Sequence, residues 1–174
     1  MGFKFFSVFN NKRGSVEEDM VAAVSASNNT ENEVLKKDNI KLNQPSVNKY
    51  EAIRMAGRLL VESGYVDESY IEAMIEREDD LTTYIGCGVA IPHGVGRAKD
   101  FIKKSGIVVL QFPEGIDFGE EKAYLVIGIA GVGDEHMDIL SNIATVIGDE
   151  DEESLNKLKT TKDVNYIYET FTTN

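Results

Sequence analysis

Residues 106–112 read Gly-Ile-Val-Val-Leu-Gln-Phe, and residues 124–130 read Tyr-Leu-Val-Ile-Gly-Ile-Ala. Both stretches are rich in β-branched residues and almost continuously apolar, which is typical of strands in a sheet that is covered on both faces. Each has the length of a strand and falls far short of a membrane span. These stretches therefore predict a buried sheet with helices packed on both sides.

Two helical patterns precede these strands. The first begins at Asn48, which is followed by Glu51 as in a capping box, and it closes at Gly64. The second has Asp67 as its expected N-cap and Arg77 near its last turn. The apolar stripes are Ala52, Ile53, Ala56 and Leu60 in the first helix, and Ile71, Met74 and Ile75 in the second.

A third strand-like run, Tyr84 to Ile91, comes before the two long apolar stretches, and three further helices follow them. These helices are expected over about residues 136–147, 153–159 and 163–171. The order is a strand, two helices, three strands and then helices. It predicts an α/β protein, a three-layer α/β/α sandwich with a central mixed β-sheet.

The N-terminal part of the chain differs from the rest. Residues 23–30, Ala-Val-Ser-Ala-Ser-Asn-Asn-Thr, are small or polar and show no sustained periodicity, as in a linker. We expect residues 1–38 to form a flexible N-terminal extension or linker, and residues 39–174 to form one domain. The phenylalanine-rich start at residues 2–9 is assigned no role.

Composition narrows the class of protein. The chain has 174 residues, 42% of them hydrophobic, and a formal net charge of -12. It has no cluster of lysine and arginine to follow a phosphate backbone, so we expect no nucleic acid partner and favour a basic protein partner. The single cysteine, Cys87, excludes an internal disulfide. Together with the lack of a signal-peptide pattern, this indicates a cytoplasmic protein.

The chain contains only two histidines, His93 and His136, and each follows a predicted strand. Pro92 fixes the backbone before His93, and Gly94 lets the chain turn away without a side chain covering the ring. We therefore expect the imidazole of His93 to face an incoming partner. The two strand ends could bring both rings together.

Several chemistries remain open for these residues. A neutral imidazole can accept a phosphoryl group without a cofactor. Arg77 and His136 are the candidates to stabilise the added negative charge. Spacing alone, however, fits Arg77 to a surface position on its helix. A metal site of His93, His136 and Asp134 lacks motif spacing. Cys87 is a weaker candidate nucleophile, because no basic residue adjoins it. The turn at residues 131–133, Gly-Val-Gly, could cradle an anion.

The sequence resembles the mannitol-type enzyme IIA domain of the bacterial sugar phosphotransferase system, within the mannitol, fructose and nitrogen-regulatory superfamily. The resemblance runs from about residue 39 to residue 171 and rests on several motifs in the family's order. These motifs are Glu-Ala-Ile-Arg-Met-Ala-Gly at 51–57, Met-Ile-Glu-Arg-Glu at 74–78, Thr-Tyr-Ile-Gly at 83–86, Val-Ala-Ile-Pro-His-Gly at 89–94, Phe-Pro-Glu-Gly-Ile at 112–116, Phe-Gly-Glu-Glu at 118–121 and Leu-Val-Ile-Gly-Ile-Ala at 125–130.

The resemblance implies that His93 takes phosphate from the phosphohistidine of the phosphocarrier HPr, on Nε2, and passes it to a cysteine of enzyme IIB during mannitol uptake. His136 and Arg77 match the family's other active-site positions, and Cys87 matches a position close to the site. No metal or cofactor is implied, and contact with the membrane is indirect, through the IIC transporter. The alternative is a regulatory, nitrogen-type module whose phosphorylation controls partner binding; a degenerate relative that keeps only the fold is a third reading.

Overall fold

The computed structural model describes residues 33–173, which form five strands, five α-helices and a 3-10 turn. The predicted flexibility of the N-terminal extension concerns residues that lie mostly outside this range. The strands are β1 Leu35–Lys41, β2 Tyr84–Gly86, β3 Val89–Ala90, β4 Gly106–Phe118 and β5 Glu121–Ala130. The helices are α1 Lys49–Glu62, α2 Ser69–Asp80, α3 Glu135–Asp149, α4 Glu152–Thr160 and α5 Val164–Thr172, and the 3-10 turn is Gly96–Phe101.

The five strands form one mixed sheet in the order β1-β4-β5-β3-β2. Strand β4 pairs parallel with β1 and antiparallel with β5, whereas β3 pairs parallel with β5 and antiparallel with β2. Parallel neighbours need a crossover connection. The chain between β1 and its parallel neighbour β4 accordingly includes α1, α2, β2 and β3. The predicted mixed sheet and α/β class are confirmed.

Successive residues of β4 and β5 point into two separate cores. Val108 packs with α1 and α2 on one face, and its neighbour Val109 packs with α3, α4 and α5 on the other. Val126 and Ile127 divide in the same way on β5. This alternation follows from the period of two in a strand, and it explains why both stretches are almost continuously apolar. The three-layer arrangement is therefore confirmed.

The start of α1 matches the sequence pattern, but that of α2 does not. Asn48 caps α1 by accepting a hydrogen bond from the Glu51 amide at 2.9 Å. The expected N-cap role of Asp67 is wrong, since α2 begins at Ser69 and its preceding residue, Glu68, makes no side-chain cap. The Asp67 carboxylate instead pairs with Lys103, with 3.0 Å between Oδ1 and Nζ.

The single strand expected from Tyr84 to Ile91 is also wrong. This run folds into a hairpin of β2 and β3, with Cys87 at φ 55° and Gly88 at φ 77° in its tight turn. Positive φ at both central residues is the requirement of a type I′ turn, and the Gly-Cys-Gly sequence at 86–88 was its signal. The turn sends the chain back on itself, so that β3 and not β2 pairs with β5.

The hairpin also corrects the expected position of Cys87. Val89 of β3 pairs with Leu125 of β5, whereas His93 pairs with Ile129. Cys87 therefore lies beyond the opposite end of β3 from His93, since Val89 and His93 are about 13 Å apart along an extended segment. It lines a groove with Tyr124 and other residues and does not lie beside the histidines.

Strand β1 begins at Leu35 and so includes residues 35–38, which the sequence pattern places in the N-terminal extension. Leu35 pairs with Ile107 of β4 and is fully buried. The mixed Leu-Lys-Lys-Asp sequence is that of an edge strand, with one face in the core and charged side chains in solvent. Among the described residues, no helix is long and apolar enough to cross a membrane.

Candidate active site

His93 lies in a short extended segment that follows β3 and stays attached to β5. Its backbone pairs with Ile129 as an isolated parallel bridge, and the Ile129 amide donates to the Pro92 carbonyl at 3.0 Å. His93 is 5% exposed, so most of its side chain is buried, and the expectation that the ring faces a partner stays a prediction. The segment contacts α2 through Tyr70, β5 through Ile129 and the first turn of α3 through His136.

One hydrogen bond determines which ring nitrogen of His93 carries the proton. Nδ1 lies 2.6 Å from the carbonyl oxygen of Ile91. Because a carbonyl oxygen can only accept, Nδ1 must carry the proton in this contact. In the neutral ring, Nε2 is then the nitrogen with a free lone pair.

His136 lies beside this ring, in the first turn of α3. The ring centroids are 5.2 Å apart with an interplanar angle of 60°. His136 is 6% exposed, and its Nδ1 is buried without a hydrogen-bond partner among the described residues. The turn before it requires glycine, because a Cβ at Gly131 would lie 2.4 Å from the His136 Cα. The structure thus brings the two histidines together, as the two strand ends suggested.

Arg77 lies in the last turn of α2, where its Nη1 donates to the Leu81 carbonyl at the end of the helix. The guanidinium is close enough that its charge lowers the pKa of His93. The bond to Leu81 holds the arginine near the site, although spacing alone fitted it to a surface position. Its role in chemistry stays a prediction.

Burial is the main influence on both histidines. It lowers the pKa of His93 from 6.5 to about 4, and the charges of His136 and Arg77 act in the same direction. The hydrogen bond to Ile91 and the charge of Glu78 oppose this shift. Burial also lowers the pKa of His136, with Lys99 as the second cause. Both rings are therefore neutral at neutral pH, and Nε2 of His93 is available as a nucleophile.

A buried carboxylate supports the segment that carries His93. Glu78 is 3% exposed and accepts hydrogen bonds from the Thr83 amide at 2.7 Å, the Thr83 hydroxyl at 2.5 Å and the Thr82 hydroxyl at 2.7 Å. Lys49 Nζ lies 3.5 Å from the same carboxylate. The Thr83 carbonyl accepts from the Ile91 amide at 3.0 Å. The network therefore ends at the residue whose carbonyl holds His93 Nδ1.

No role for Glu78 was foreseen, although its spacing held a signal. It falls three residues after Ile75 and four after Met74, so it continues the buried stripe of α2. A carboxylate on an apolar stripe needs hydrogen-bond donors, and two threonines follow at residues 82 and 83. The pattern could have identified a buried acid.

Two alternative interpretations of this region, a metal site and an anion-binding turn, lose support. Residues 33–173 contain no group of three or more histidine, cysteine, aspartate or glutamate side chains placed to hold a metal ion. At residues 131–133, which the sequence offers only as a possible anion cradle, the central amide is occupied, since Val132 donates to the Ser105 hydroxyl at 2.9 Å. The same hydroxyl donates to Glu135, which places a negative charge beside the turn.

Four exposed apolar side chains lie close to the predicted site residues along the chain. Leu81, Val95, Val132 and Met137 each lie within four positions of a predicted site residue, and they are 66%, 46%, 46% and 62% exposed. One cationic side chain acts on this region, because Lys99 in the 3-10 turn lowers the pKa of His136 after burial has done so. An apolar border with isolated charges is typical of a surface that another protein contacts.

Comparisons with known proteins place this arrangement in a family. The model of the family described as "Phosphoenolpyruvate-dependent sugar phosphotransferase system, EIIA 2" matches residues 33–174. The chain belongs to this family of phosphotransferase system components. Its resemblance to the mannitol-type branch is confirmed by the relatives that follow.

The chain is 47% identical over 138 residues to the mannitol-specific phosphotransferase enzyme IIA component of Bacillus subtilis, covering 78% of this chain and 96% of that protein. It is 46% identical over 136 residues to the mannitol-specific EIICBA component of Vibrio cholerae, which covers 76% of this chain but only 21% of that protein. A solved complex of enzyme IIA-mannitol and phosphorylated enzyme IIB-mannitol from Escherichia coli matches with a TM-score of 0.74 and 40% identity, covering 79% of this chain and 96% of that one.

Proposed function

We propose that His93 accepts a phosphoryl group from the phosphohistidine of HPr and passes it to a cysteine of enzyme IIB, as part of mannitol uptake. The observation that carries this proposal is the 2.6 Å contact between His93 Nδ1 and the Ile91 carbonyl, which leaves Nε2 with its lone pair. Membership of the family and mannitol-specific relatives support the reaction and the sugar.

The two transfers balance without a cofactor. In the first, the Nε2 lone pair attacks phosphorus, the N–P bond of the donor breaks, and its electrons return to the donor imidazole. In the second, a cysteine thiolate attacks phosphorus, an S–P bond forms and the electron pair of the Nε2–P bond returns to His93. The proton on Nδ1 remains hydrogen bonded to Ile91 in both steps, so only one nitrogen takes part.

Supporting roles follow from charge and position. Arg77 is the permanent cation whose field reaches His93, so it can offset the negative charge of the phosphoryl oxygens. His136, with its ring centroid 5.2 Å away, can donate a hydrogen bond to the same group. The apolar border of Leu81, Val95, Val132 and Met137 offers a contact surface that donor and acceptor can share.

The acceptor is proposed from relatives. The Escherichia coli structure holds its enzyme IIA with phosphorylated enzyme IIB, and the Vibrio cholerae relative is named as one EIICBA component. By this proposal, the chain works at the cytoplasmic face of a IIC transporter without entering the membrane.

The test is incubation with labelled phosphoenolpyruvate, enzyme I and HPr, followed by addition of a mannitol-type enzyme IIB domain. We expect one acid-labile phosphate per chain, absent in His93→Ala, and transfer of the label to IIB. Stoichiometric label on His93→Ala would move the nucleophile to His136 or Cys87. Label that stays on His93 with every IIB domain offered would favour the regulatory alternative.

A further inference from the structure

Tyr70 connects α2 to the segment that carries His93. The side chain is fully buried, and its hydroxyl accepts a hydrogen bond from the Gly94 amide at 2.9 Å. The same hydroxyl donates to the Ile129 carbonyl at 2.7 Å. One oxygen atom therefore joins the residue that follows His93 to the central strand β5.

This hydroxyl takes part in the pairing between the His93 segment and β5. His93 and Ile129 form a parallel pair. In such a pair, the backbone of one residue, here Ile129, bonds to the residues before and after the other, here Pro92 and Gly94. Ile129 does so on one side, where its amide donates to the Pro92 carbonyl at 3.0 Å. On the other side, the Tyr70 hydroxyl bridges the Gly94 amide and the Ile129 carbonyl. The Tyr70 hydroxyl thus replaces one backbone hydrogen bond between β5 and the segment that carries His93.

The tyrosine ring is also packed tightly against this segment. A Cβ added at Gly94 would lie 2.8 Å from Tyr70 Cε2 and 2.7 Å from the Ala98 Cβ. The glycine of the Pro-His-Gly motif thus allows the ring to approach the backbone. Because the ring is fully buried and lies close to the Gly94 backbone, its hydroxyl can bond to both backbone groups.

Resting on the proposed function, we propose that Tyr70 is a positioning residue for phosphoryl transfer: its hydroxyl fixes Gly94 against β5 and so keeps Nδ1 of His93 on the Ile91 carbonyl. Pro92 and Gly94 flank His93, and each is bonded to Ile129, directly or through Tyr70. Without the hydroxyl, the backbone after His93 is tied on one side only. The ring can then leave Ile91, and Nε2 is no longer the sole unprotonated nitrogen.

The hydroxyl suits this task over the whole working pH range. Burial raises the pKa of Tyr70 to about 12, so the group stays protonated and can donate and accept at once. Removing only the oxygen leaves a buried N–H and a buried C=O without their partner, while the ring still fills its place. Tyr70→Phe is therefore the informative variant.

Tyr65→Phe is the matched control. Tyr65 is 1% exposed in the same core, and its hydroxyl donates to the Glu33 carbonyl at 3.3 Å, away from the histidines. Both variants lose one hydroxyl from a buried tyrosine. Three measurements on wild type and both variants separate the roles: thermal unfolding, single-turnover phosphate uptake from phospho-HPr, and nitrogen-15 NMR of the His93 ring in the unphosphorylated protein.

We expect all three proteins to fold and both variants to melt below wild type. Tyr70→Phe should show mixed His93 tautomers and phosphate uptake slowed by ~10- to 100-fold, since small misplacements of a reacting group carry costs of this order. Tyr65→Phe should keep the wild-type tautomer and rate. If Tyr70→Phe does not fold, Gly94→Ala, which displaces the ring, should show the same mixed tautomers.

Two outcomes overturn different statements. Wild-type nitrogen signals and uptake in Tyr70→Phe, with only a lower melting temperature, would leave Tyr70 a purely structural residue. A wild-type protein that takes no phosphate from phospho-HPr would remove the proposed function, whereas the His93 nitrogen signals of the variants would still decide whether Tyr70 sets the tautomer.

Discussion

The carbonyl of Ile91 decides which nitrogen of His93 can act. The contact spans two residues of the same chain and depends on the backbone of Pro92, which fixes one torsion, and on the bonds that hold both flanking residues to β5. Burial then keeps the ring neutral by lowering its pKa to about 4. A neutral ring with an assigned tautomer is ready to act as a nucleophile without a separate base.

The lowered pKa of His93 makes folding stability depend on pH. Since the folded value of about 4 is below the ordinary 6.5, protonation favours the unfolded chain, and the stabilising contribution is present above pH 6.5 and lost as pH falls towards 4. Urea unfolding at about pH 7.5 and about pH 4.5 should show wild type losing about 2–3 kcal/mol more than His93→Asn. Equal losses in the two proteins would mean that the ring titrates normally.

Arg77 and His136 should support transfer without being the nucleophile. Losing a donor positioned at developing charge costs on the order of 10²-fold in rate, so both Arg77→Ala and His136→Ala should slow transfer while His93 still accepts phosphate. His136→Ala should show this chiefly in onward transfer to IIB. Arg77→Ala should in addition destabilise the phosphorylated form, because it removes the permanent cation.

Single-turnover kinetics of each half-reaction tests both variants. Arg58→Ala is the matched control, since this arginine lies on α1 with its side chain 52% exposed and pairs with Glu51 at 3.1 Å. It should leave both half-reactions unchanged. Wild-type rates in Arg77→Ala and His136→Ala would return these residues to a structural role.

At the scale of elements, α2 carries three of the groups that shape the site. Tyr70, Arg77 and Glu78 lie on it, and each bonds to a segment outside the regular helix: Gly94, Leu81 and Thr83. The helix is thus a rigid support for the hairpin and for the segment after β3. Damage to its buried polar contacts should therefore weaken the whole fold.

Glu78→Ala should lower the free energy of unfolding by about 2–4 kcal/mol, because it leaves the buried Thr83 amide and hydroxyl without their acceptor. Glu76→Ala is the control on the same helix. Its side chain is exposed, so the change should stay within about 0.5 kcal/mol of wild type. Denaturant unfolding at neutral pH measures both; equal effects would show that the network around Glu78 contributes little.

For the molecule as a whole, the sequence predicted the features of the fold that depend on hydrophobic periodicity. Val108 and Val109 alternate between two cores, and that apolar continuity indicated a sheet between helical layers. The start of the first strand at Leu35 was missed because only one face of the strand is buried and lysines cover the other. The β2–β3 hairpin was missed because the apolar pattern runs through its turn at Cys87 and Gly88.

In the candidate site, too, some features could be predicted from the sequence and others depend on the folded packing. His93 and His136 could be predicted, since a chain with two histidines at strand ends draws attention to both. The bonds of Tyr70 could not, because they join its hydroxyl to backbone groups 24 and 59 positions away along the chain, and only the folded topology sets those distances. Burial of His93 to 5% exposure depends on the same packing.

Association with HPr, the proposed donor, should depend on both net charge and apolar contact, and the two contributions can be measured separately. The formal net charge of -12 favours a basic partner at long range, so affinity should weaken as salt rises. Met137, which is 62% exposed and follows His136, should contribute by apolar burial, so Met137→Ala should weaken binding by about tenfold at every salt concentration. Calorimetry at low and high salt measures both effects. An affinity that does not change with salt would exclude steering by net charge, and a Met137→Ala effect that disappears at high salt would mean that the residue acts through neighbouring charges such as Asp138.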